Sequence, residues 1–331
     1  MKVSVLGAGG WGTTLAMLLN DNGHEVTLWE FNKTYADTLR NHRENFYYLP
    51  KVKISEKILI TNDPLEAVKD KELVIIATPT QYIRKSLSSI GDFDFGDCYV
   101  VSVSKGIENG SLMLVSDMLL DIFKKINRSN LACLSGPSHA EEVSRKIPTA
   151  VVCASENIEA AKTVQKVFSN EFFRVYTSND LIGTETGGAL KNVIAIAAGI
   201  SDGAGFGDNT KAAIMTRGIS EIMKLGVKLG AKKETFYGLS GIGDLIVTCS
   251  SQHSRNRKVG YEIGKGRKLK EILEELKMVA EGVPTAKAAF ELSKKLSIEL
   301  PIIEEVYNIL FEEADPIEST RNLMLRSLKQ E

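Results

Sequence analysis

Residue types that bind metals or form covalent cross-links are scarce in this sequence. It has four cysteines and four histidines in 331 residues, and no two cysteines form a CxxC pair. The cysteines are far apart, at positions 98, 133, 153 and 249, and three of them lie in or beside apolar segments. We therefore expect buried free thiols, in the reducing environment of the cytoplasm, rather than disulfide bonds. The histidines show no metal-ligand spacing, so we expect no metal site.

Long apolar runs and an excess of charge of one sign are also missing. No run of about 18 apolar residues is present, so we expect no membrane span. A core strand is predicted to begin at Lys2, which leaves no room for a signal peptide before it. The formal net charge is −1, whereas proteins that bind nucleic acids usually carry a basic patch. The short basic stretch at 265–270 is interpreted as a solvated loop and helix start, and no nucleic-acid partner is expected.

The most informative motif that is present is GAGGWG, at residues 7–12. An apolar segment that predicts a buried strand precedes it, and a segment with apolar residues at helical spacing follows it. In such a strand–turn–helix unit, Gly7 permits the tight turn, Gly9 lets the backbone approach a pyrophosphate, and Gly12 lets the helix pack on the strand. The helix N-terminus adds N–H groups and a partial positive charge. The motif predicts a dinucleotide site; the alternative is an ordinary turn with three glycines.

A carboxylate ends the second predicted strand. Residues 25–29 form an apolar segment, and Glu30 follows about 20 residues after the first motif glycine, where an acidic side chain can bind the adenosine ribose. Glu30 would repel a 2′-phosphate, and Phe31 offers no cation to bind one. We therefore expect NAD to be preferred over NADP. The alternative is that Glu30 points to solvent and Lys33 decides, which would give use of both cofactors.

Strands and helices alternate through the first half of the chain. The predicted strands are 3–6, 25–29, 58–60, 73–77, 99–103, 131–134, 150–153 and 172–176, and the predicted helices are 11–19, 64–68, 81–90, 112–126, 139–145 and 158–168. Most of the strands are continuous apolar runs, as expected for strands that are covered on both faces. The alternation predicts an α/β fold with a doubly wound, largely parallel, Rossmann-type sheet, in which later strands run antiparallel at one edge.

The pattern changes near residue 178. Beyond residue 180 no segment predicts a strand, and helical spacing is found at 184–201, 220–229, 269–276, 285–296 and 303–311. We therefore predict two domains, as the length also suggests: a dinucleotide-binding domain at 1–178 and an all-α substrate and catalytic domain at 179–331. Ser178 or Asn179 is the expected N-cap of the first helix of the second domain. Without a low-complexity linker, the domains should pack tightly with the site between them.

One lysine lies alone in the long apolar helix predicted at 184–201. Between Glu185 and Asp202, the only charged residue is Lys191. A buried charge is costly unless it is paired or functional, and burial lowers the pKa of a lysine toward the range useful for proton transfer. Asp244, in the segment SGIGDL, could hold this lysine in place. The alternative is a lysine that extends to the surface.

Three further groups of polar residues lie where a ligand could bind. Lys105 follows one predicted strand and the SGPS turn at 135–138 follows the next, and open α/β sheets bind ligands at the carboxyl ends of their strands. Ser254, Arg255 and Asn256 form a compact set that could bind an anion, because a guanidinium group suits a phosphate. Taken singly, each group could also be a turn or a surface loop.

Six ordered motifs resemble those of bacterial-type NAD(P)-dependent glycerol-3-phosphate dehydrogenases. They are GAGGWGT at 7–13, SKGIE at 104–108, SGPSHAEE at 135–142, GGALKNVIAIAAGISDG at 187–203, GIGDLIVTC at 241–249 and SRNR at 254–257. The resemblance runs from residue 3 to about residue 325, nearly without gaps. It implies reversible reduction of dihydroxyacetone phosphate to sn-glycerol 3-phosphate, the precursor of phospholipid backbones, with NAD or NADP as cofactor. A homodimer without integral membrane association is expected.

The resemblance also implies roles for single residues. The catalytic group is Lys191 as proton acceptor, with Asp244 and Lys105. The positions that would contact substrate are Lys105, Gly136, Ser138, Lys191, Asp244, Ser254, Arg255 and Asn256. The positions that would contact the cofactor by similarity are Gly10, Trp11, Phe31, Lys105, Ala140, Arg255, Val279 and Glu281. The glycine motif and the carboxylate after the second strand add Gly7, Gly9, Gly12 and Glu30. Members of the family often have Arg or His in place of Phe31 and a small residue in place of Glu30.

Two alternative functions remain open at this point. A related hydroxy-acid dehydrogenase with a Rossmann domain and a helical domain could use the same lysine, with the arginine binding a carboxylate. A redox-sensing NAD-binding protein without turnover would have the same glycine motif. A sensor needs no buried lysine, however, and usually carries a nucleic-acid-binding module, of which the sequence gives no sign. Comparing the turnover of dihydroxyacetone phosphate with that of carboxylate substrates would separate the two dehydrogenases.

Overall fold

The strands of the first half form one large sheet and a small hairpin. In the computed structural model, which describes residues 1–276, 278–328 and 330, the strands are β1 (Lys2–Leu6), β2 (Glu25–Trp29), β3 (Glu44–Asn45), β4 (Leu49–Lys53), β5 (Leu59–Thr61), β6 (Leu73–Ile76), β7 (Tyr99–Ser102), β8 (Leu131–Ser135), β9 (Thr149–Ala154) and β10 (Phe173–Ser178). The large sheet has the order β10-β9-β8-β7-β6-β1-β2-β5. Its six strands from β8 to β5 are parallel, whereas β9 pairs antiparallel with β8. The predicted Rossmann-type sheet, with a reversal at one edge, is confirmed.

Both faces of the sheet are covered by apolar side chains. In β1, Val3 and Val5 belong to one buried cluster and Leu6 to another, and the same alternation occurs in β6 between Ile75 and Ile76. Because successive residues of a strand point to opposite faces, two covered faces require a continuous apolar run. This is why the strands could be predicted from short runs of apolar residues.

Helices connect the strands of this half. They are α1 (Gly10–Asp21), α2 (Lys33–His42), α3 (Pro64–Val68), α4 (Thr80–Leu87), α5 (Val115–Ile122), α6 (Ala140–Val143) and α7 (Ile158–Phe168). The helix predicted at 112–126 is wrong at both ends: Leu112 has a left-handed φ of 60°, and the backbone is extended at Phe123. The helix predicted at 81–90 is α4 followed by a 3₁₀ turn, Ser88–Ile90.

Two elements of the first half were missed from the sequence. Helix α2 is mostly polar, and only Ala36 and Leu39 are buried. The hairpin of β3 and β4 has strands of two and five residues with no alternating apolar pattern. Neither element shows the periodicity on which the prediction rested.

Over its described residues, the second half is all-helical, as predicted. Its helices are α8 (Leu181–Gly203), α9 (Asp208–Lys228), α10 (Asp244–Ser250), α11 (Arg255–Gly264), α12 (Leu269–Glu275), α13 (Gly282–Lys295), α14 (Pro301–Phe311) and α15 (Pro316–Met324). Helix α8 is buried along most of its length and packs against α9, α10, α11 and α13. Its glycines permit the close approach of α11: a Cβ on Gly199 would lie 2.1 Å from the carbonyl oxygen of Arg257.

The junction between the two halves differs from the prediction in one detail. The N-cap of α8 is Asp180, whose Oδ1 accepts a hydrogen bond from the Gly183 N–H at 3.0 Å, so the expectation of Ser178 or Asn179 is wrong. Strand β10 continues to Ser178, so the helix begins later than the change in sequence pattern suggested. The domain division at residues 178 and 179 remains our proposal.

The expected free thiols are confirmed, since all four cysteines are buried and unpaired. Burial raises the pKa of the Cys98 and Cys249 thiols to about 12, so both stay protonated at neutral pH. Within the ranges that the structure describes, no helix combines the length and apolar character that crossing a bilayer requires.

Candidate active site

A groove of about 560 Å³ lies between the sheet and the helical half. The carboxyl ends of β1, β6 and β7 open into it, which is where doubly wound sheets bind ligands. The predicted site residues that line it are Gly7, Gly9, Gly10, Trp11, Gly12, Glu30, Phe31, Lys105, Ser138, Ala140, Lys191, Ser254, Arg255, Asn256, Val279 and Glu281. Gly136 and Asp244 do not line it.

The glycine motif has the geometry of a phosphate-binding turn. Gly7 has a φ of 122°, which favours glycine, and a Cβ on Gly12 would lie 1.9 Å from the Gly7 carbonyl oxygen. Beside Gly9, in contrast, the space that a Cβ would occupy has no atom of a described residue within 4 Å, other than those of its chain neighbours. Helix α1 begins at Gly10, and no side chain caps its N-terminus. Its first N–H groups and the space beside Gly9 therefore suit the pyrophosphate of a dinucleotide.

The carboxylate at the end of β2 lies in the groove, as the spacing suggested. Glu30 Oε1 accepts a hydrogen bond from the Asn32 N–H at 2.9 Å, and burial raises the pKa of this carboxyl. The neighbouring Phe31 side chain is 59% exposed and places its ring edge-on against Trp29. Lys33 does not line the groove, whereas Lys85 of α4 does.

Two lysines share one buried carboxylate in the centre of the site. Lys191 Nζ lies 2.5 Å from Asp244 Oδ1 and 2.7 Å from Thr248 Oγ1. Lys105 Nζ lies 2.7 Å from Asp244 Oδ2 and 3.1 Å from the carbonyl oxygen of Gly136. Asp244 is 1% exposed and Lys191 is 7% exposed. Asp244 therefore fixes both ammonium groups from a position behind the groove lining.

This arrangement lowers the pKa of Lys191 toward neutral pH. Burial lowers the pKa of Lys191 to about 8, and the charge of Lys105 adds to the shift while Asp244 opposes it. Burial alone would raise the pKa of Asp244, but the two ammonium groups hold it below its usual value. Near pH 8, Lys191 can therefore give or take a proton while Asp244 stays ionised.

The Ser254–Asn256 segment forms the start of α11. Ser254 caps this helix, its Oγ accepting a hydrogen bond from the Arg257 N–H at 3.2 Å. The N–H groups of Arg255 and Asn256 have no partner within the helix, which makes them suitable for an anion. The Asn256 side chain is already engaged, since it donates to Asn192 Oδ1 and accepts from the Gly282 N–H, both at 2.9 Å. The Arg255 guanidinium lines the groove and donates to the Val279 carbonyl at 3.0 Å.

Comparison with known proteins decides the family. The model of the NAD-dependent glycerol-3-phosphate dehydrogenase N-terminus matches residues 2–161, and the model of its C-terminus matches residues 180–321. The chain belongs to the NAD-dependent glycerol-3-phosphate dehydrogenase family. The resemblance seen in the sequence motifs is therefore confirmed.

Individual members of the family are similar over the whole chain. Glycerol-3-phosphate dehydrogenase [NAD(P)+] from Syntrophotalea carbinolica is 48% identical, covering 100% of this chain and 99% of that protein. The protein of the same name from Thermoanaerobacter sp. is 50% identical over the same shares of the two chains. The crystal structure of glycerol-3-phosphate dehydrogenase from Coxiella burnetii has a TM-score of 0.93 at 33% identity, covering 98% of this chain and 99% of that one. D-mandelate dehydrogenase with NADH, at 14% identity and a TM-score of 0.64, shares the fold alone.

The structure adds site residues that the sequence reasoning missed. Thr248 follows Asp244 by four residues on α10, and its Oγ1 donates to the Asp244 carbonyl at 2.6 Å while accepting from Lys191. The i, i+4 spacing of these two residues in GIGDLIVTC places them on one face of a helix, so their contact could have been predicted from the sequence. Asn192, the neighbour of Lys191 on α8, accepts a hydrogen bond from Asn256 Nδ2 at 2.9 Å and so links α8 to α11.

Two predicted contact residues also make hydrogen bonds within the protein. Gly136 holds Lys105 through its carbonyl, and its φ of 134° explains the need for glycine. Glu281 accepts a hydrogen bond from the Thr80 N–H at 2.7 Å, at the start of α4, and so joins the helical half to the sheet half. Burial raises the pKa of Glu281 to about 7.

Proposed function

We propose that this chain is an NAD(P)-dependent glycerol-3-phosphate dehydrogenase that interconverts dihydroxyacetone phosphate and sn-glycerol 3-phosphate. The observation that carries the proposal is that Lys191, held by Asp244, lines the same groove as the glycine turn, in a chain of this family. A redox sensor would have no use for a desolvated lysine beside its dinucleotide. A hydroxy-acid dehydrogenase shares the fold but is not the family to which the chain belongs.

The residues of the groove fit a nicotinamide dinucleotide. The turn at 7–12 and the N-terminus of α1 would hold the pyrophosphate, and Glu30 would accept hydrogen bonds from the adenosine ribose. When bound, the cofactor supplies or accepts the hydride. Trp11, Ala140, Val279 and Glu281 line the remaining walls of the same groove, which supports their expected contacts with the cofactor.

In this proposal, Lys191 donates and accepts the proton of the reaction. In the reducing direction its ammonium group donates a proton to the developing alkoxide, and in the oxidising direction the neutral amine accepts the hydroxyl proton. Asp244 and Thr248 hold Nζ in place, and Lys105 adds positive charge beside the developing oxyanion. The N-terminus of α11 and the Arg255 guanidinium hold the substrate phosphate, which aligns the carbonyl for reaction.

A direct assay tests the proposal. The purified protein should oxidise NADH or NADPH when dihydroxyacetone phosphate is added, without added metal, as followed by the loss of absorbance at the nicotinamide band. Turnover of 2- and 3-oxo acids, measured in parallel, tests the alternative of a hydroxy-acid dehydrogenase. Good turnover of an oxo acid with none of dihydroxyacetone phosphate would overturn the assignment, and tight dinucleotide binding without any turnover would favour a sensor.

The pH dependence should have opposite signs in the two directions. Because the pKa of Lys191 is lowered to about 8, its ammonium form, which the reduction requires, is lost as the pH rises through that value. We expect kcat for reduction to fall above about pH 8 and kcat for oxidation to rise over the same range. Profiles of kcat from pH 6 to 10 with saturating substrates would show this. Parallel profiles in both directions would contradict the role of Lys191.

The cofactor preference should depend on Glu30. We expect a higher kcat/KM with NADH than with NADPH, and a gain in NADPH use of about tenfold when Glu30→Ala removes a like charge from the 2′-phosphate. Glu25→Ala, at the exposed other end of β2, is the matched control and should leave the ratio unchanged. A wild type that prefers NADPH, or no gain in Glu30→Ala, would argue instead for a cation such as Lys85 as the deciding group.

We also propose a homodimer in the cytoplasm. Large apolar side chains of the C-terminal segment, Ile317, Met324 and Leu325, are 62%, 78% and 72% exposed, which supports a surface that another subunit covers. Four buried free thiols support a reducing compartment. Light scattering of the purified protein, with a Leu325→Glu variant, tests the dimer.

A further inference from the structure

The hairpin of β3 and β4 lies against the glycine turn. Among the described residues, Asn45 is the only one of the hairpin whose side chain forms a hydrogen bond to this turn. This residue is fully buried, with an exposed fraction of 0%. Asn45 Nδ2 donates to the Ala8 carbonyl at 2.8 Å and to Thr13 Oγ1 at 2.7 Å. The hairpin also packs on the turn directly, since the Tyr48 carbonyl oxygen lies 2.6 Å from where a Cβ on Gly10 would be.

The other side of the Asn45 amide is held as firmly. Its Oδ1 accepts hydrogen bonds from the Tyr35 hydroxyl at 2.5 Å and from the Tyr48 N–H at 3.1 Å. A carbonyl can only accept and a backbone N–H can only donate, so the Ala8 and Tyr48 contacts fix the orientation of the amide. Burial raises the pKa of Tyr35 to about 12, so its hydroxyl remains a donor at neutral pH. All four hydrogen-bonding positions of Asn45 are in use.

These contacts determine which way the turn presents its backbone. The Ala8 carbonyl and the Gly9 N–H belong to one trans peptide, in which the two groups point in opposite directions. By holding the carbonyl, Asn45 turns the Gly9 N–H away from the hairpin. Thr13, the second partner, lies in the first turn of α1, where its N–H donates to the Gly9 carbonyl at 2.9 Å. Asn45 therefore connects both sides of the turn to one fixed side chain.

We propose that Asn45 is a positioning residue that holds the glycine turn in its dinucleotide-binding conformation, with Tyr35 orienting its amide. The inference rests on the proposed function, because it assigns the turn to the cofactor. A binding loop that is fixed in advance loses less conformational entropy when the ligand binds. Gly7 and Gly9, which precede α1, restrict the backbone little, so the Asn45 contacts add to the restraint that α1 gives this turn.

Removal of the amide should weaken cofactor binding and spare the chemistry. For Asn45→Ala we expect the Kd and KM of NADH to rise about tenfold, the effect of one lost buried hydrogen-bonded group, while kcat and the KM of dihydroxyacetone phosphate change less than about twofold. Asn45→Asp keeps the acceptor for Tyr35 and Tyr48 but places an oxygen opposite the Ala8 carbonyl. It should lose as much affinity as Asn45→Ala despite its nearly identical shape.

Titration of NADH fluorescence without substrate, together with steady-state kinetics and thermal unfolding, tests this. Asn157→Ala is the matched control: Asn157 caps α7 in the same half by accepting from the Glu159 N–H, far from the turn in sequence. It should lower Tm without changing the Kd of NADH. Tyr35→Phe leaves both donor contacts of Asn45 intact and should raise the Kd of NADH about threefold. If the Asn45 variants do not fold, this variant tests the positioning role.

The outcomes separate this inference from the proposed function. Folded Asn45 variants that bind NADH as tightly as the wild type would overturn the positioning role, as would an unchanged Kd in Tyr35→Phe. A lowered Tm with an unchanged Kd would show that Asn45 serves only folding. A wild type that binds no dinucleotide would overturn the proposed function and this role together, whereas wild-type turnover with unaffected variants would overturn this role alone.

Discussion

Replacing Lys191 with methionine should lower kcat by about 10²- to 10⁴-fold, the usual contribution of a general acid or base, while NADH binding stays near the wild-type value. Methionine has a similar length and is apolar, so it suits a side chain that is 7% exposed in α8. Asp244 would keep its second ammonium partner, Lys105, at 2.7 Å, so the substitution leaves no unpaired buried carboxylate. The loss should therefore come from the proton step rather than from unfolding.

Lys211→Met provides the matched control for this variant. Lys211 also forms an ion pair in the helical half, with Asp202 at 2.8 Å, but it does not line the groove. It should retain most of the wild-type kcat. The activity that remains in Lys191→Met should no longer change with pH near 8, because the titrating group is gone. A folded Lys191→Met protein that keeps most of its kcat would show that the lysine is structural.

The parts of the fold that could be predicted from sequence are those in which a local pattern decides the structure. Most strands of the large sheet are short apolar runs, because both faces are covered, whereas the edge strand β10 alternates buried and exposed residues. The turn at 7–12 could be predicted because Gly7 and Gly12 stand where a Cβ would clash with neighbouring backbone atoms. Lys191 was identifiable because a single charge in an apolar helix has few explanations other than function.

The contacts that complete the site could not be predicted in this way, because they join distant parts of the chain. Lys105 and Asp244 meet across 139 residues, and no local pattern indicates that one carboxylate serves two lysines. Asn256 was expected to bind an anion, yet its side chain holds Asn192 and the start of α13. The sequence showed which residue types were present but not which of their polar groups were already used.

The net charge of the site likewise depends on contacts between distant residues. Lys105, Lys191 and Asp244 carry one net positive charge, and Lys191 and Asp244 are almost fully buried. An anionic substrate therefore meets a positive site in which water screens little. The phosphate itself needs further donors, because two of the three N–H groups of each ammonium are already engaged within the protein. We propose that the start of α11 supplies them, with backbone N–H groups that have no partner in the helix and one guanidinium group.

Arg255→Ala should accordingly damage the use of the phosphorylated substrate most. A charged contact to the phosphate is worth roughly 2–5 kcal/mol if substrate binding desolvates it, or about 30- to 5,000-fold in kcat/KM. The Arg255 side chain lines the groove, and its backbone N–H remains in the alanine variant, so part of the phosphate site is retained and the loss should fall near the lower end. Unphosphorylated dihydroxyacetone, which we expect to be a poor substrate because it has no phosphate group, should be affected much less. The measurement is kcat/KM for both substrates together with the Kd of NADH.

Arg257→Ala separates this effect from a general loss of structure. Arg257 lies two residues further on, but its guanidinium pairs with Asp202 at 2.6 Å and does not line the groove. Its removal should lower Tm and affect both substrates alike, because it holds α11 against α8 rather than touching the phosphate. The ratio of the two kcat/KM values should therefore fall in Arg255→Ala and stay constant in Arg257→Ala. Equal proportional losses for both substrates in Arg255→Ala would assign this arginine to the cofactor or to the Val279 carbonyl that it already contacts.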